Sequence, residues 1–539
     1  MNDIELKEAQ DARIACEALP FARNLGAFLD QAAQEMGDKT ALHLIATDRE
    51  LSALDIQTMT RSVAAGLKAK GVTFGDRVGV MLGNVLEFPL TWLAIARLGA
   101  VMVPINNRYT PREVAYVLGD SGAKLLVTDA ATDANLRDAP ELAGSPAMGC
   151  RVVVGAEGAD SWDALAAHDA ATFLPDREPE LDDLLNIQYT SGTTGLPKGC
   201  MLTHRYWLVL SRVAAFRIKG DIRNVLSAQP FYYMDPQWQL LMALYLRGTV
   251  FLAERPSSSS FLGWVHRYRI GYCIFPQIVL KQPAEPRDAE LPLALASIFG
   301  WRRDAHLEIE RRFNVTARES FGMTEVGSAL SVPYWANDMV GSGSCGIPSP
   351  FREVSIRNAE GEPVPDGEIG ELWVRGPGIM LGYWNKPEAN ADSLRPGGWF
   401  RTGDLFRRDA KGFFYIVGRV KDMIRRSGEN IAANEVEAVL TGWPDVLEAA
   451  VIGVPDADRG EEVKACLVLR PPATRETFDL PALAAHCAQH LAAFKVPRYF
   501  DIRDSLPKTP SEKVAKHLLR SEKPDLRAGA FDQVTQQWN

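Results

Sequence analysis

Short apolar runs rich in Val, Ile and Leu alternate with amphipathic stretches along much of the chain. KLLVTD at 124–129 and RVVVG at 151–155 read as buried strands, and REVAYVLGDSG at 112–122 as a helix with one apolar face. That alternation predicts strands covered by helices. The run VGVMLGNVLEFPLTWLAIARLGAVMVPI at 78–105 is long enough to cross a bilayer, but Asn84, Glu87, Pro89 and Arg97 interrupt it. It reads instead as strand, helix, strand in an α/β core. From 350 to 420 the texture changes: FREVSIRNAEG, GEIGELWVRG and GFFYIVGR, punctuated by Gly, Pro and Asp, predict hairpins of a β-rich subdomain. After Arg425, the helical NEVEAVLTGW and the strands EAAVIGV and KACLVLR predict a small α+β domain. The serine run 257–260 reads as a short surface loop.

Composition narrows the function. A chain of 539 residues, 46% of them hydrophobic, exceeds one ordinary domain. Its net charge of -9 speaks against a nucleic-acid partner, which would need concentrated Lys and Arg. The seven cysteines are scattered and never form a CxxC pair, so neither a disulfide framework nor a zinc site is expected and a reducing cytoplasm fits. Asp3, Glu5, Glu8 and Asp11 stand where a signal peptide would need a basic start, so export is not expected.

Chemistry concentrates at 184–199. LLNIQY reads as a buried strand, and TSGTTGLPKG then offers glycine-freed backbone N–H groups at Gly192 and Gly195, hydroxyls on Thr190, Ser191, Thr193 and Thr194, and the cation Lys198. These groups suit an oligophosphate. Leu196 and Pro197 separate Gly195 from Lys198, so the GxxxxGK[ST] spacing is not met and the grip is of another kind.

YTSGTTGLPKG resembles the phosphate loop of the adenylate-forming (AMP-binding) superfamily, which includes acyl-CoA synthetases. The likeness runs over roughly residues 20–525, through LGAVMVPINNRYTPREVAYVLGDSGAKLLVTD, SFGMTEVG at 320–327, GYWNKPEAN, GWFRTGDL, GRVKDMI, SGENI and LPKTPSEK at 506–513. It implies a large N-terminal domain over 1–418 of α/β sheets and helices, including the β-rich subdomain 350–418. A hinge follows at 419–422, then a small mobile α+β domain over 423–525 and a tail over 526–539.

The resemblance also implies the reaction. A carboxylate attacks the α-phosphorus of ATP to give an acyl-adenylate, and a thiol then takes the acyl group; both steps need cations against accumulating negative charge. Residue by residue it gives Thr324 to the phosphate and Glu325 to Mg²⁺, although the pair would equally suit a helix N-cap and its first-turn acid. It places Phe321 on adenine with Gly300, Trp301, Gly322 and Met323 around the nucleotide, and Asp404 and Arg419 on the ribose. Lys513 bridges carboxylate and α-phosphate, Lys421 is the hinge, and Ser427 and Gly428 face the thiol channel of coenzyme A. Glu512 stands where the family usually has glycine.

For the acid, the resemblance points to PFYYMDPQWQ at 230–239 and SIFGWRRDA at 297–305. Tyr233 replaces a frequent histidine, and Phe299 and Trp301 replace small residues, which would shorten an acyl tunnel. Asp235, with Tyr233 and Trp238 near it in sequence, suits a cationic group, as in the similar-looking carnitine and crotonobetaine CoA ligases. Arg302 and Arg303 leave a compact second carboxylate or an aromatic acid open. The leading reading is an acid:CoA ligase using ATP, Mg²⁺ and coenzyme A, with a small carboxylic acid as partner, no membrane span, and a homodimer as the assembly considered. The alternatives are a stand-alone enzyme that loads a carrier protein and a catalytically silent nucleotide-binding protein.

Overall fold

The computed structural model describes residues 3–190, 197–218, 220–301, 303–427, 429–509 and 513–539. Ser191, Gly192, Thr193, Thr194, Gly195, Arg302, Gly428 and Glu512 lie outside these. The α/β expectation holds for the large domain. One sheet runs Arg151–Val154, Leu125–Asp129, Arg77–Met81, Val101–Pro104, Leu184–Thr190, Lys198–Thr203; its first five strands are parallel and the last turns back antiparallel. A second sheet has nine strands, its parallel centre running from Ala317–Met323 through Leu295–Ile298, Tyr272–Ile274, Asn224–Ser227 and Thr249–Leu252 to Thr40–Leu44.

The run read as strand, helix, strand is Arg77–Met81, helix Glu87–Leu98 and Val101–Pro104. The helix is buried along its whole length apart from Glu87, as a covering element between sheets must be. Trp92 at its centre donates to Asn186 Oδ1 (3.0 Å), Asn186 donates to Gln237 Oε1 (3.0 Å), and Gln237 donates to the carbonyls of Phe231 and Tyr233. A fully satisfied buried network of this kind fixes the strand Leu184–Thr190 against the helix Met234–Tyr245. No helix among the described residues is long and apolar enough to cross a membrane.

The β-rich subdomain is a five-stranded antiparallel sheet built from Glu353–Arg357, Gly370–Arg375, Leu394–Arg395, Trp399–Arg408 and Phe414–Arg419. Its Leu372, Val374, Phe400 and Phe406 join the same core as Leu42, Val80, Leu185 and Val225 of the two large sheets. The small domain has a separate core of Ile424, Val436, Val451, Val463, Leu483 and Phe500. Two expectations are corrected. The segment 526–539 is no tail: Phe531–Asp532 pairs with Tyr499–Phe500, and Gln537–Trp538 adds a further strand to the small domain's sheet. The serine run is a helix start, with Ser257 as N-cap accepting from the Ser260 N–H (3.2 Å) and Ser258–Arg267 helical.

Candidate active site

Strands Leu184–Thr190 and Lys198–Thr203 pair with Thr190 opposite Lys198, so the two ends of the glycine-rich stretch stand side by side. Asp120 anchors their base: it accepts from Tyr189 Oη (2.7 Å) and pairs with Lys386 Nζ (2.6 Å), while Tyr116 Oη donates to the Pro197 carbonyl (2.9 Å). Lys198 Nζ lies 4.8 Å from the centre of the Tyr383 ring, and Tyr383 Oη donates to Glu325 Oε1 at 2.8 Å. A cation, a ring and a carboxylate thus stack in order beside the loop.

Thr324 and Glu325 are not at a helix start. They form the tip of a hairpin between Ala317–Met323 and Gly327–Ser331, closed by Met323 opposite Gly327. Glycine is required there because a Cβ on Gly322 would stand 2.5 Å from the Gly327 carbonyl oxygen, and Gly327 itself has φ +68°. Behind the tip, the buried Arg352 donates to the carbonyls of Val326, Pro377 and Gly378, and the Met380 N–H donates to the Glu325 carbonyl (2.8 Å). The hairpin is therefore clamped to the segment that carries Tyr383. Burial pushes the Glu325 carboxyl above the usual carboxylate range, against the Tyr383 bond and the pull of Arg419.

Asp404 and Arg419 face each other across adjacent strands, with Arg419 Nε 2.7 Å from Asp404 Oδ1. Burial raises the Asp404 carboxyl, while the positive charges of Arg419 and Lys513 pull it down. Lys513, from the small domain, therefore faces the large-domain site in this conformation. Its neighbourhood is an ordered turn: Thr509 N–H donates to the Lys513 carbonyl (2.7 Å) and Lys513 N–H to Thr509 Oγ1 (3.2 Å). Lys421 lies in the short turn Val420–Asp422, where burial and the repulsion of Lys198 lower its pKa. Phe321 is partly buried and meets Phe406 edge-on, centroids 4.9 Å apart. Ser427 has φ +53° and donates its N–H to the Arg459 carbonyl (2.8 Å), placing a strained turn at the edge of the small domain.

On the acid side, Tyr233 precedes the helix Met234–Tyr245 and packs edge-on against Tyr232. Asp235 accepts from Trp238 Nε1 at 3.0 Å, and burial raises its carboxyl. Trp238 in turn meets Tyr272, whose hydroxyl lies 2.8 Å from Ser297 Oγ. Phe299 is 44% exposed, and Trp301 packs edge-on against the core residue Phe275. Arg303 begins the helix Arg303–Phe313.

Two groups escaped the sequence reading. Tyr383 lies inside the quoted GYWNKPEAN, but nothing in that string says that its hydroxyl supports Glu325. Glu319, one residue before SFGMTEVG, accepts from the N–H groups of Gly300 (2.7 Å) and Trp301 (3.2 Å), and burial pushes it up to about 7. It ties the strand carrying Phe321 to the segment 299–301.

Comparison with known proteins places these motifs in a family. The AMP-binding enzyme model matches residues 28–384, and the AMP-binding enzyme C-terminal domain matches 435–513. The crotonobetaine/carnitine–CoA ligase of Salmonella paratyphi A is 33% identical over 521 residues, covering 92% of this chain and 99% of that protein. The sulfoacetate–CoA ligase of Cupriavidus necator is 35% identical over 477 residues, covering 86% and 90%. Among solved structures, ATP-bound MatB from Rhodopseudomonas palustris superposes with a TM-score of 0.82 at 28% identity, covering 93% of this chain and 99% of that one. The two models match parts of both domains, and the chain belongs to the AMP-binding enzyme family, as an acid–thiol ligase of the acyl-CoA synthetase type.

Proposed function

We propose that the protein joins a small or compact carboxylic acid to coenzyme A, using ATP and passing through an acyl-adenylate, with release of pyrophosphate and AMP. The observation that carries this reading is the contact series Lys198–Tyr383–Glu325 and the Asp404–Arg419 ion pair, drawn from three separate sheets, with Lys513 of the small domain within electrostatic reach of Asp404 and Lys421 within reach of Lys198 and Arg419. In the first half-reaction a carboxylate oxygen bonds to the α-phosphorus and the bond to pyrophosphate breaks. Thr190, Lys198 and Thr324 hold phosphate oxygens, Phe321 lies under adenine with Phe406 bracing its edge, and Asp404 accepts from the ribose hydroxyls beside Arg419. Lys513 brings its charge between the two reacting anions, where stabilisation is needed most.

Glu325 fits a hard cation such as Mg²⁺. An ion of that kind takes most of its oxygens from phosphate and water and needs only one or two carboxylates from the protein. When bound there, Mg²⁺ supplies neutralisation of phosphate charge. For the second half-reaction the small domain turns. Arg419 belongs to a large-domain strand, whereas Asp422 is tied to the small domain by Arg520 (2.9 Å) and Lys516 (3.9 Å). This leaves Val420 and Lys421 as the joint. The coenzyme A sulfur, approached past Ser427 and Gly428, bonds to the acyl carbon, and the acyl–AMP bond breaks. The seven unpaired cysteines support a reducing, cytoplasmic setting.

The experiment is a panel of short and compact acids assayed for pyrophosphate with and without coenzyme A. Coenzyme A-dependent AMP and thioester formation is expected. Pyrophosphate release that ignores coenzyme A would favour carrier-protein loading instead, and no release with any acid would overturn the reading.

A further inference from the structure

The helix His204–Phe216 ends at Arg217, whose N–H still bonds back to the Val213 carbonyl (3.2 Å). The side chain turns inward. Its Nε and Nη2 are closed to solvent and have no hydrogen-bond partner among the described residues, and Arg217 forms no ion pair there. A guanidinium cannot shed its charge at any ordinary pH, so leaving two of its nitrogens closed to solvent without an acceptor is costly.

The groups around it locate the missing partner. Burial lowers the Arg217 pKa, with Tyr272 and Glu319 acting in the opposite direction. Tyr272 holds Ser297 Oγ and meets Trp238 of the acid-side helix. Glu319, a carboxylate within electrostatic reach, makes no hydrogen bond with it and accepts instead from the N–H groups of Gly300, Trp301 and Ser320. Asp235, across Tyr272, accepts from the Trp238 indole instead. Arg217 therefore lies within electrostatic reach of Tyr272, which touches Trp238 and Ser297 of the two segments given to the acid, and its Nε and Nη2 lack an acceptor among the described residues.

We propose that Arg217 is the specificity residue for a second anionic group, so that the preferred acid is a short molecule carrying a carboxylate or equivalent anion at the end away from the reacting carboxylate. The planar guanidinium fork matches such a group, and the Tyr272 hydroxyl supplies a third donor. The proposal rests on the acid:CoA ligase reading of the same site and adds the charge of the acid's far end.

The test compares acids of equal length with the full-length chain: malonate, succinate and glutarate against propanoate, butanoate and pentanoate, with 4-(trimethylammonio)butanoate as the cationic counterpart. Coenzyme A-dependent AMP formation is measured. For the matching length the dianion is expected to exceed its monoanion in kcat/KM by at least about thirtyfold, the low end for truncating one partner of a buried charge pair. Arg217→Gln should bring that ratio down at least about tenfold, mainly through KM, and Arg217→Lys should restore part of it. The matching dianion should raise the melting temperature of the wild-type chain and do so less for Arg217→Gln, with ATP-induced stabilisation of the variant showing that it is folded. A wild-type preference for the monoanions or the trimethylammonio acid, or an equal loss on all acids in Arg217→Gln, would overturn the proposal while leaving the ligase reading intact. Absence of AMP with every acid would overturn both.

Discussion

The nucleotide side and the acid side of the site are built on opposite electrostatic plans. On the nucleotide side the charges are held by neighbours before any substrate arrives: Asp404 by Arg419, Glu325 by the Tyr383 hydroxyl, and the base of the phosphate hairpin by Asp120 and Lys386. On the acid side Arg217 is half-buried with two solvent-closed nitrogens that lack an acceptor, and Asp235 has an indole N–H but no cation among the described residues. Phosphate chemistry is the same for every acid, so its groups can be fixed in advance and stabilise the transition state without reorganising. Selectivity among acids needs groups that are satisfied by one ligand and left wanting by another.

Lys513 gives the largest expected effect and tests how far the prearranged side depends on the small domain. It belongs to the small domain and acts on Asp404 of the large one by its charge, and in the proposed mechanism it is delivered by the turning of the small domain. Lys513→Ala should slow adenylation by at least about a hundredfold, the scale for loss of one transition-state donor. Thioester formation from synthetic acyl-adenylate should persist. Equal loss of both half-reactions would mean that the lysine serves both steps, and the contrast between fixed and delivered charge would fail.

Tyr383 tests whether prearrangement itself matters. Its hydroxyl holds Glu325 Oε1, and its ring lies against Lys198 Nζ. Tyr383→Phe keeps the ring and removes only the donor, so the carboxylate should lose its orientation while the loop stays in place. The Mg²⁺ concentration for half-maximal adenylation should rise about tenfold, the lower end for removing a support behind a metal ligand. An unchanged Mg²⁺ requirement would show that the hairpin clamp alone positions Glu325.

The contrast also explains what could be read from the sequence. The motif strings of the nucleotide side are local: SFGMTEVG falls within one hairpin whose tip is Thr324–Glu325, and GWFRTGDL and GRVKDMI hold Asp404 and Arg419, which pair on neighbouring strands. Even there the string did not say hairpin rather than helix cap, because that choice turns on Gly322 approaching the Gly327 carbonyl. The acid side depends on packing between distant segments. How far Phe299 is exposed is not legible in its own segment, and Arg217, a single arginine at a helix end, carries no signal until the fold closes around it. The strands of 526–539 were equally hidden, since FDQVTQQWN has no strand pattern of its own and takes that form by pairing with Tyr499–Phe500.

Glu319 lies where the two sides meet, and its effect falls on stability and its pH dependence rather than on a catalytic rate. It is 5% exposed, its carboxylate accepts from the backbone of the acid-side segment 300–301, and its strand runs on to Phe321 and the hairpin tip. Burial moves it from an ordinary 4.5 up to about 7, so between those values the folded protein binds a proton that the unfolded chain has released. Stability from this group is therefore fully present below about pH 4.5 and is lost as pH rises through about 7, a change on the order of 3 kcal/mol. Glu319→Gln cannot titrate and should remove that part of the slope. The measurement is urea unfolding of wild type and variant from pH 4.5 to 8, followed by tryptophan fluorescence, with the difference between the two read against pH. That difference should shift in favour of the variant as pH rises, mostly between 5.5 and 7.5. Parallel profiles would mean that Glu319 stays ionised throughout, paired with Arg217, and the acid side would then be prearranged like the nucleotide side.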